Sequence, residues 1–359
     1  MPINYWLERL YALALLLVAL KFKIAVTLRD FAERQSSYFL IQAVLFLIPS
    51  LLLWTLLRLL FHISTDSLLF ARSIHSEIQS ASLYAKNLVW FVNLIVDWFV
   101  CYAILRWSAR GAWLWLWLVY EVEALALAIA LAEMPLHLPQ FYSPLTAQRP
   151  ALAKMVQAAE LRHAVKVPPI SIMVDSSDTG SFAGSVGVAR YFSITLSQGM
   201  LKTLDDSQLL FVVGHELGHI ADGFREVVFR ACVSFVWISF SYALAIQMIT
   251  WCGPRLGIRG VQDWAGLPIF AICFVVFGAV TNLGFDEYQQ HMELRADCFA
   301  VGFTTGEVEH PVDVAQSALV KMQPRNDSGW RSFRLGPASH PSLAMRVLSL
   351  EACENPGPQ

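Results

Sequence analysis

The chain has 359 residues, 56% of them hydrophobic and 15% charged, with 12 Trp and 23 Phe. Soluble domains average roughly 25% charged residues, so this composition excludes an ordinary soluble enzyme and a disordered, solvated chain. Lys and Arg number 26 against 28 Asp and Glu, net −2, and such a balance offers nucleic acid no basic field.

The apolar residues are gathered in blocks. Residues 38–63, 88–105, 112–131, 227–251 and 265–285 each reach or approach the ~20 apolar residues that cross a ~30 Å hydrocarbon core. Residues 11–28 are a weaker candidate, because Lys21 and Lys23 interrupt them. They do not read as a cleaved signal peptide, since Glu8 and Arg9 cancel and no A-x-A-like site follows. Asp97, Glu121 and Glu123 fall inside apolar blocks, where each charge costs about 2.5–3.5 kcal/mol on insertion scales. Such groups usually face a bundle interior or a water-filled cavity, which suggests a hydrated chamber between helices.

Residues 135–226 and 286–359 have ordinary polarity and together suffice for one soluble domain. Pro135, Pro139, Pro144 and Pro150 mark a linker into it. Residues 151–165 have helical spacing, 170–174 read as a buried strand, and 181–197, with Gly184 and Gly187, suggest a hairpin. The expected organisation is 1–134 transmembrane helices, 135–226 the first half of the polar domain, 227–285 a transmembrane hairpin and 286–359 the second half. Of the six Cys, Cys101, Cys232 and Cys273 lie in apolar segments, Cys252 ends one, and Cys298 and Cys353 lie in polar sequence. They read as packing thiols with no disulfide framework.

The chemistry lies at His215-Glu216-Leu217-Gly218-His219, an H-E-x-x-H. On a helix, positions i and i+4 project side by side, so two imidazoles can grip one Zn²⁺. Asp205 followed by Gln208 resembles a capping box, and Leu210, Val213, Leu217 and Ile220 form an apolar stripe opposite Gln208, Val212, His215 and His219. Gly214 and Gly218, poor helix formers, point to close backbone approach. A chain of this composition contains the motif by chance in roughly 1% of cases.

A catalytic zinc takes three protein ligands and keeps a water position open. Glu293 is the expected third ligand, with Asp297 four residues on to accept a hydrogen bond from a ligand imidazole. His291 competes but sits about 200° around the helix from Glu293, which places it at the surface. Glu216 is the expected general base, so the sequence predicts a zinc metalloendopeptidase with one Zn²⁺ per chain, acting at or near the bilayer. An edge strand in the 181–197 hairpin would bind a polypeptide extended. The alternative is a non-proteolytic membrane scaffold with a structural zinc, which would have no use for Glu216; a transporter built on Asp97, Glu121 and Glu123 would not explain the ligand set.

His-Glu-Leu-Gly-His, then Glu293-Leu294-Arg295-Ala296-Asp297 beyond an apolar hairpin, then His340-Pro341-Ser342-Leu343-Ala344-Met345-Arg346, resemble the membrane zinc peptidases related to type-1 CAAX prenyl proteases and HtpX-type proteins. The resemblance covers about residues 141–351. It implies a mainly α-helical integral membrane protein with an α+β gluzincin-type zinc peptidase domain split by a transmembrane hairpin. It also implies that His340 and Arg346 approach the site, where His340 would stabilise the oxyanion. Where the family's edge strand carries an Asn-Ala pair, this chain has Phe182-Ala183, with Gly187 retained.

For sidedness, Lys21, Lys23, Arg29, Arg34, Arg106, Arg110, Arg255 and Arg259 fall on one side. Arg72, Lys86, Arg149, Arg225, Arg230 and Arg295 fall on the catalytic side. Eight against six leans toward an extracytoplasmic catalytic domain by the positive-inside rule, while relatives of this general type often face the cytoplasm. The side stays open on sequence alone.

Overall fold

The computed structural model describes residues 3–38, 41–46, 49, 103–104, 111–173, 183–188, 191–322 and 341–353. Of the expected spans 38–63 and 88–105, residues 50–63 and 88–102 lie outside the described residues, as do Asp97, Cys101, Phe182 and His340. The chain divides into two units. One comprises Tyr120–Val233 and Asn282–Gln359, the other Pro2–Val119 and Ser234–Thr281.

In the second unit, α1 (Ile3–Lys21) and α2 (Ile24–Gln35) meet at a 58° bend. The break falls where Lys21 and Lys23 interrupt the apolar run, and Lys23 adopts a left-handed φ of 52°. Arg29 on α2 is buried, and its guanidinium pairs with Asp263 and donates to the Gly257 carbonyl at 3.1 Å. A buried cation is tolerable only when paired and hydrogen-bonded in this way.

Three described helices are long and apolar enough to cross a membrane, or four if the bent pair counts as one. They are α3 (Ala112–His137), α8 (Gly223–Leu256) and the helix containing α9 (Leu267–Thr304). α3 leaves Leu114, Trp115, Leu118, Leu125 and Leu127 exposed, as a helix solvated by lipid does. Glu121 on α3 is half-buried and Glu123 exposed. Within the second unit, the Trp237 indole donates to the Phe274 carbonyl at 2.9 Å and tightens the pairing of α8 with α9.

In the first unit a four-stranded sheet has the order β1-β2-β4-β3, built from β1 (Tyr142–Pro144), β2 (Ile170–Met173), β3 (Ala183–Val188) and β4 (Tyr191–Ser197). β1 pairs antiparallel with β2, β2 parallel with β4, and β3 antiparallel with β4, so β3 is an edge. Gly187 has φ +136°, and a Cβ there would lie 1.8 Å from the Tyr191 carbonyl oxygen, so only glycine fits this hairpin. Strand β1 was not expected, because it sits inside what reads as a proline-marked linker.

The sheet and α5 (Pro150–His163) pack on α7 (Asp206–Ala221), following the short α4 (Leu145–Gln148) and α6 (Gln198–Thr203). The core joins Leu152 and Val156 to Ile172, Ile194, Leu196, Leu209, Phe211 and Val213, with α10 (Pro311–Met322) and α11 (Leu343–Cys353) closing it. One cysteine expectation is overturned: Cys298 and Cys353, 55 positions apart in sequence, form a disulfide with Cα atoms 5.2 Å apart. Packing of α11 against the rest of the unit brings the two thiols together, and no local spacing motif signals such a pair.

Candidate metal centre

The site begins with the start of α7. The Gln208 amide donates to Asp205 Oδ1 at 2.9 Å and the Asp205 amide to Gln208 Oε1 at 3.2 Å, the reciprocal capping box expected from sequence. The helix is not amphipathic in the expected sense, since residues 208–214 and 216–218 are all buried. Its polar face turns inward toward α9 and α11 rather than out to water.

That inward contact depends on small residues. A Cβ on Gly214 would lie 3.0 Å from Ala300 Cα, and one on Gly218 only 2.7 Å from Ala296 Cα. The two backbones therefore touch at positions four apart on each helix. This crossing sets Glu293 and Asp297 of α9 against His215 and His219 of α7.

His215 Nε2 stands 3.5 Å from Glu293 Oε2, His219 Nε2 stands 3.4 Å from Glu293 Oε1, and the two Nε2 atoms are 3.2 Å apart. Ligands about 2.0–2.1 Å from a zinc at tetrahedral corners stand about 3.3 Å from one another. The three side chains therefore already have the spacing of three corners, and the donor set, two imidazoles and a carboxylate, suits that ion.

Around them is a charged support. Asp297, fully buried, faces His215 Nδ1 at 2.9 Å and leaves Nε2 for the centre. Arg346 on α11 donates from Nε to Asp297 Oδ2 at 2.7 Å and from its terminal nitrogen to Oδ1 at 2.5 Å. Its other terminal nitrogen lies 3.8 Å from Glu293 Oε2. Burial alone would disfavour a charge on His215, but the hydrogen bonds to Asp297 and Glu293 outweigh it and lift the pKa to about 9. Burial would likewise raise the Asp297 carboxyl, yet hydrogen bonds from Arg346 and His215 hold it below its ordinary value.

The structure thus brings together His215, His219, Glu293, Asp297 and Arg346, with Glu216 buried on the same helix beside the first imidazole. His291 is exposed. Sequence reasoning missed Asp222, the C-cap of α7, whose carboxylate accepts from Arg295 at 2.9 Å and so ties the end of α7 to α9 between Glu293 and Asp297. Arg295 stood in the motif as an unassigned position, and Asp222 carries no local signal.

The sequence profile of peptidase family M48 matches residues 147–354, more than half of the chain. The chain belongs to peptidase family M48. Among the relatives it matches, a Bacillus subtilis protein named as an uncharacterized metalloprotease, YhfN, is 25% identical over 177 residues, covering 47% of this chain and 40% of that protein. A protease HtpX homolog of Fusobacterium nucleatum is 22% identical over 211 residues, 53% of this chain and 64% of its own length. The chain thus spans from about two fifths to just under two thirds of the relatives it matches. The crystal structure of Ste24p from S. mikatae superposes with a TM-score of 0.67 at 17% identity, covering 95% of this chain and 84% of that one. The M48 chain therefore has a mainly helical, Ste24p-like fold with a small sheet.

Proposed function

We propose that the chain is an integral-membrane, zinc-dependent metalloendopeptidase that hydrolyses peptide bonds of protein or peptide substrates at or near the bilayer. The observation that carries this reading is the convergence of His215, His219 and Glu293 beside the buried Glu216. A structural metal site has no need of a carboxylate next to its first ligand.

His215, His219 and Glu293 would hold the ion, and Asp297 and Arg346 would fix their orientation. Zinc, when bound, lowers the pKa of its water to around 7 and polarises the scissile carbonyl. Glu216 accepts the proton of the attacking water as the new C–O bond forms. It then delivers that proton to the leaving nitrogen as the C–N bond breaks. His340 and Arg346 are assigned to the neighbourhood of the reacting carbonyl through the family motif.

The edge strand β3 packs along α7 and, among the described strands, pairs on one side only, which leaves its other side to an extended peptide. Main-chain pairing there would hold substrate with little reading of its side chains. The long apolar helices support a multi-pass membrane setting for the same chemistry.

The test uses the full chain in detergent, a quenched-fluorescence peptide library and metal analysis. Wild type should hold one zinc per chain and cleave, and chelation should abolish cleavage. Glu216→Gln should keep its zinc and lose at least about 100-fold in rate, the span of a lost general base. Equal cleavage by the two proteins overturns the assignment of Glu216.

A further inference from the structure

We propose that Cys298 and Cys353 are positioning residues: their disulfide holds α11 in place, and through it Arg346 on Asp297, so that oxidation of the pair completes the metal site. The inference rests on the peptidase reading only for its activity readout.

Three observations meet here. Cys298 directly follows Asp297 on α9, and Cys353 lies seven residues beyond Arg346 on α11, two turns along the same face. An ion pair at 297 and a covalent bond at 298 thus link the two helices through adjacent α9 residues. Second, apart from its packing on α10 and the half-buried Leu343, α11 buries little. Leu350 is its single buried side chain, while Met345 and Leu348 are exposed. Third, Cys298 is solvent-exposed, so a reductant can reach the bond.

Arg346 in turn serves the site in two ways. It neutralises Asp297, fully buried, and lies 3.8 Å from Glu293. Freed from the tether, α11 keeps its packing on α10 but loses its covalent anchor beside Asp297, and Arg346 holds the geometry of Asp297 and His215 without it. Reduction by a dithiol breaks the Cys298–Cys353 bond and transfers two electrons and two protons to the sulfurs, while the reductant closes its own disulfide. Oxidised glutathione reverses this: two thiols are oxidised and two glutathione molecules are released reduced.

The experiment uses the full chain in detergent, oxidised or treated with dithiothreitol, desalted without oxygen and reloaded with zinc. Zinc affinity is measured against a fluorescent chelator, with kcat and KM on a quenched peptide and helicity by circular dichroism. We expect reduction to weaken zinc binding and lower kcat by about tenfold, the scale of a lost partner to a metal ligand, with KM and helicity unchanged. Oxidised glutathione should restore both. The Cys298→Ser/Cys353→Ser variant should match the reduced protein and ignore the reductant. In an Arg346→Ala background, reduction should have no further effect.

Unchanged zinc affinity on reduction overturns the proposal, as does an undiminished effect in Arg346→Ala or a collapse of helicity, which would mark a plain structural staple. A fall in zinc affinity with no cleavage in either state supports the clamp and overturns the peptidase reading alone.

Discussion

Asp297 accepts from both His215 and Arg346 while sealed from solvent, so removing its charge strands two partners at once. Asp297→Ala should cost about 3 kcal/mol in denaturant unfolding, the lower end for a broken buried pair, because Arg346 keeps Glu293 nearby. Zinc affinity should fall by about 10- to 100-fold; a change in stability without one in affinity would detach Asp297 from the metal. His215 gives a pH signature in the metal-stripped protein. Its folded pKa, about 9, lies above the unfolded value near 6.5, so its contribution to stability is fully present below about 6.5 and is lost as pH rises through 9. A proton and a metal compete for this imidazole, so zinc affinity should rise by up to about tenfold per pH unit through that window. At this scale the cluster of His215, His219, Glu293 and Asp297 was legible because helical spacing places it. Asp222 was not, since its partner Arg295 lies 73 residues away and meets it only through packing.

Between elements, the crossing of α7 over α9 depends on the absence of two methyl groups. Gly218→Ala would force a Cβ to 2.7 Å from the Ala296 backbone and should destabilise by about 1–3 kcal/mol while loosening the ligand spacing. Gly214→Ala, at 3.0 Å from Ala300, should cost less. Thermal unfolding and zinc titration of the two variants check the order; a Gly218→Ala protein with full affinity would show that the crossing tolerates a shift. The sequence signalled the helix, its cap and the meaning of its glycines. It did not signal that the face opposite the apolar stripe would also be buried, because polar residues that turn toward a metal centre read like polar residues turned toward water. The hairpin was visible from Gly187 and its alternating neighbours, whereas β1, three residues ending at Pro144, is defined only by its pairing with β2.

For the molecule as a whole, the long helices α8 and α9 each contribute residues to both units. At about 1.5 Å per residue the 38 residues of α9 measure roughly 57 Å, well beyond a hydrocarbon core of ~30 Å. The apolar segment and the residues Glu293 and Asp297 therefore belong to the same helix in sequence. Hydropathy located the apolar part of that helix, but no spacing rule foretold Cys298–Cys353, whose partners are 55 residues apart. Disulfides persist in oxidising compartments, and an extracytoplasmic catalytic unit, toward which the sequence count of eight against six leans, would suit the pair. We expect a membrane-impermeant maleimide to label Cys298 and Cys353 in intact cells after dithiothreitol treatment; labelling only after lysis would put the catalytic unit on the cytoplasmic face. The most direct test of the central claim compares protein N-termini in cells carrying wild type or Glu216→Gln, with the zinc content of both proteins measured. A set of new N-termini present with wild type and lost with a zinc-loaded Glu216→Gln is the predicted result, and identical N-termini in the two would contradict it.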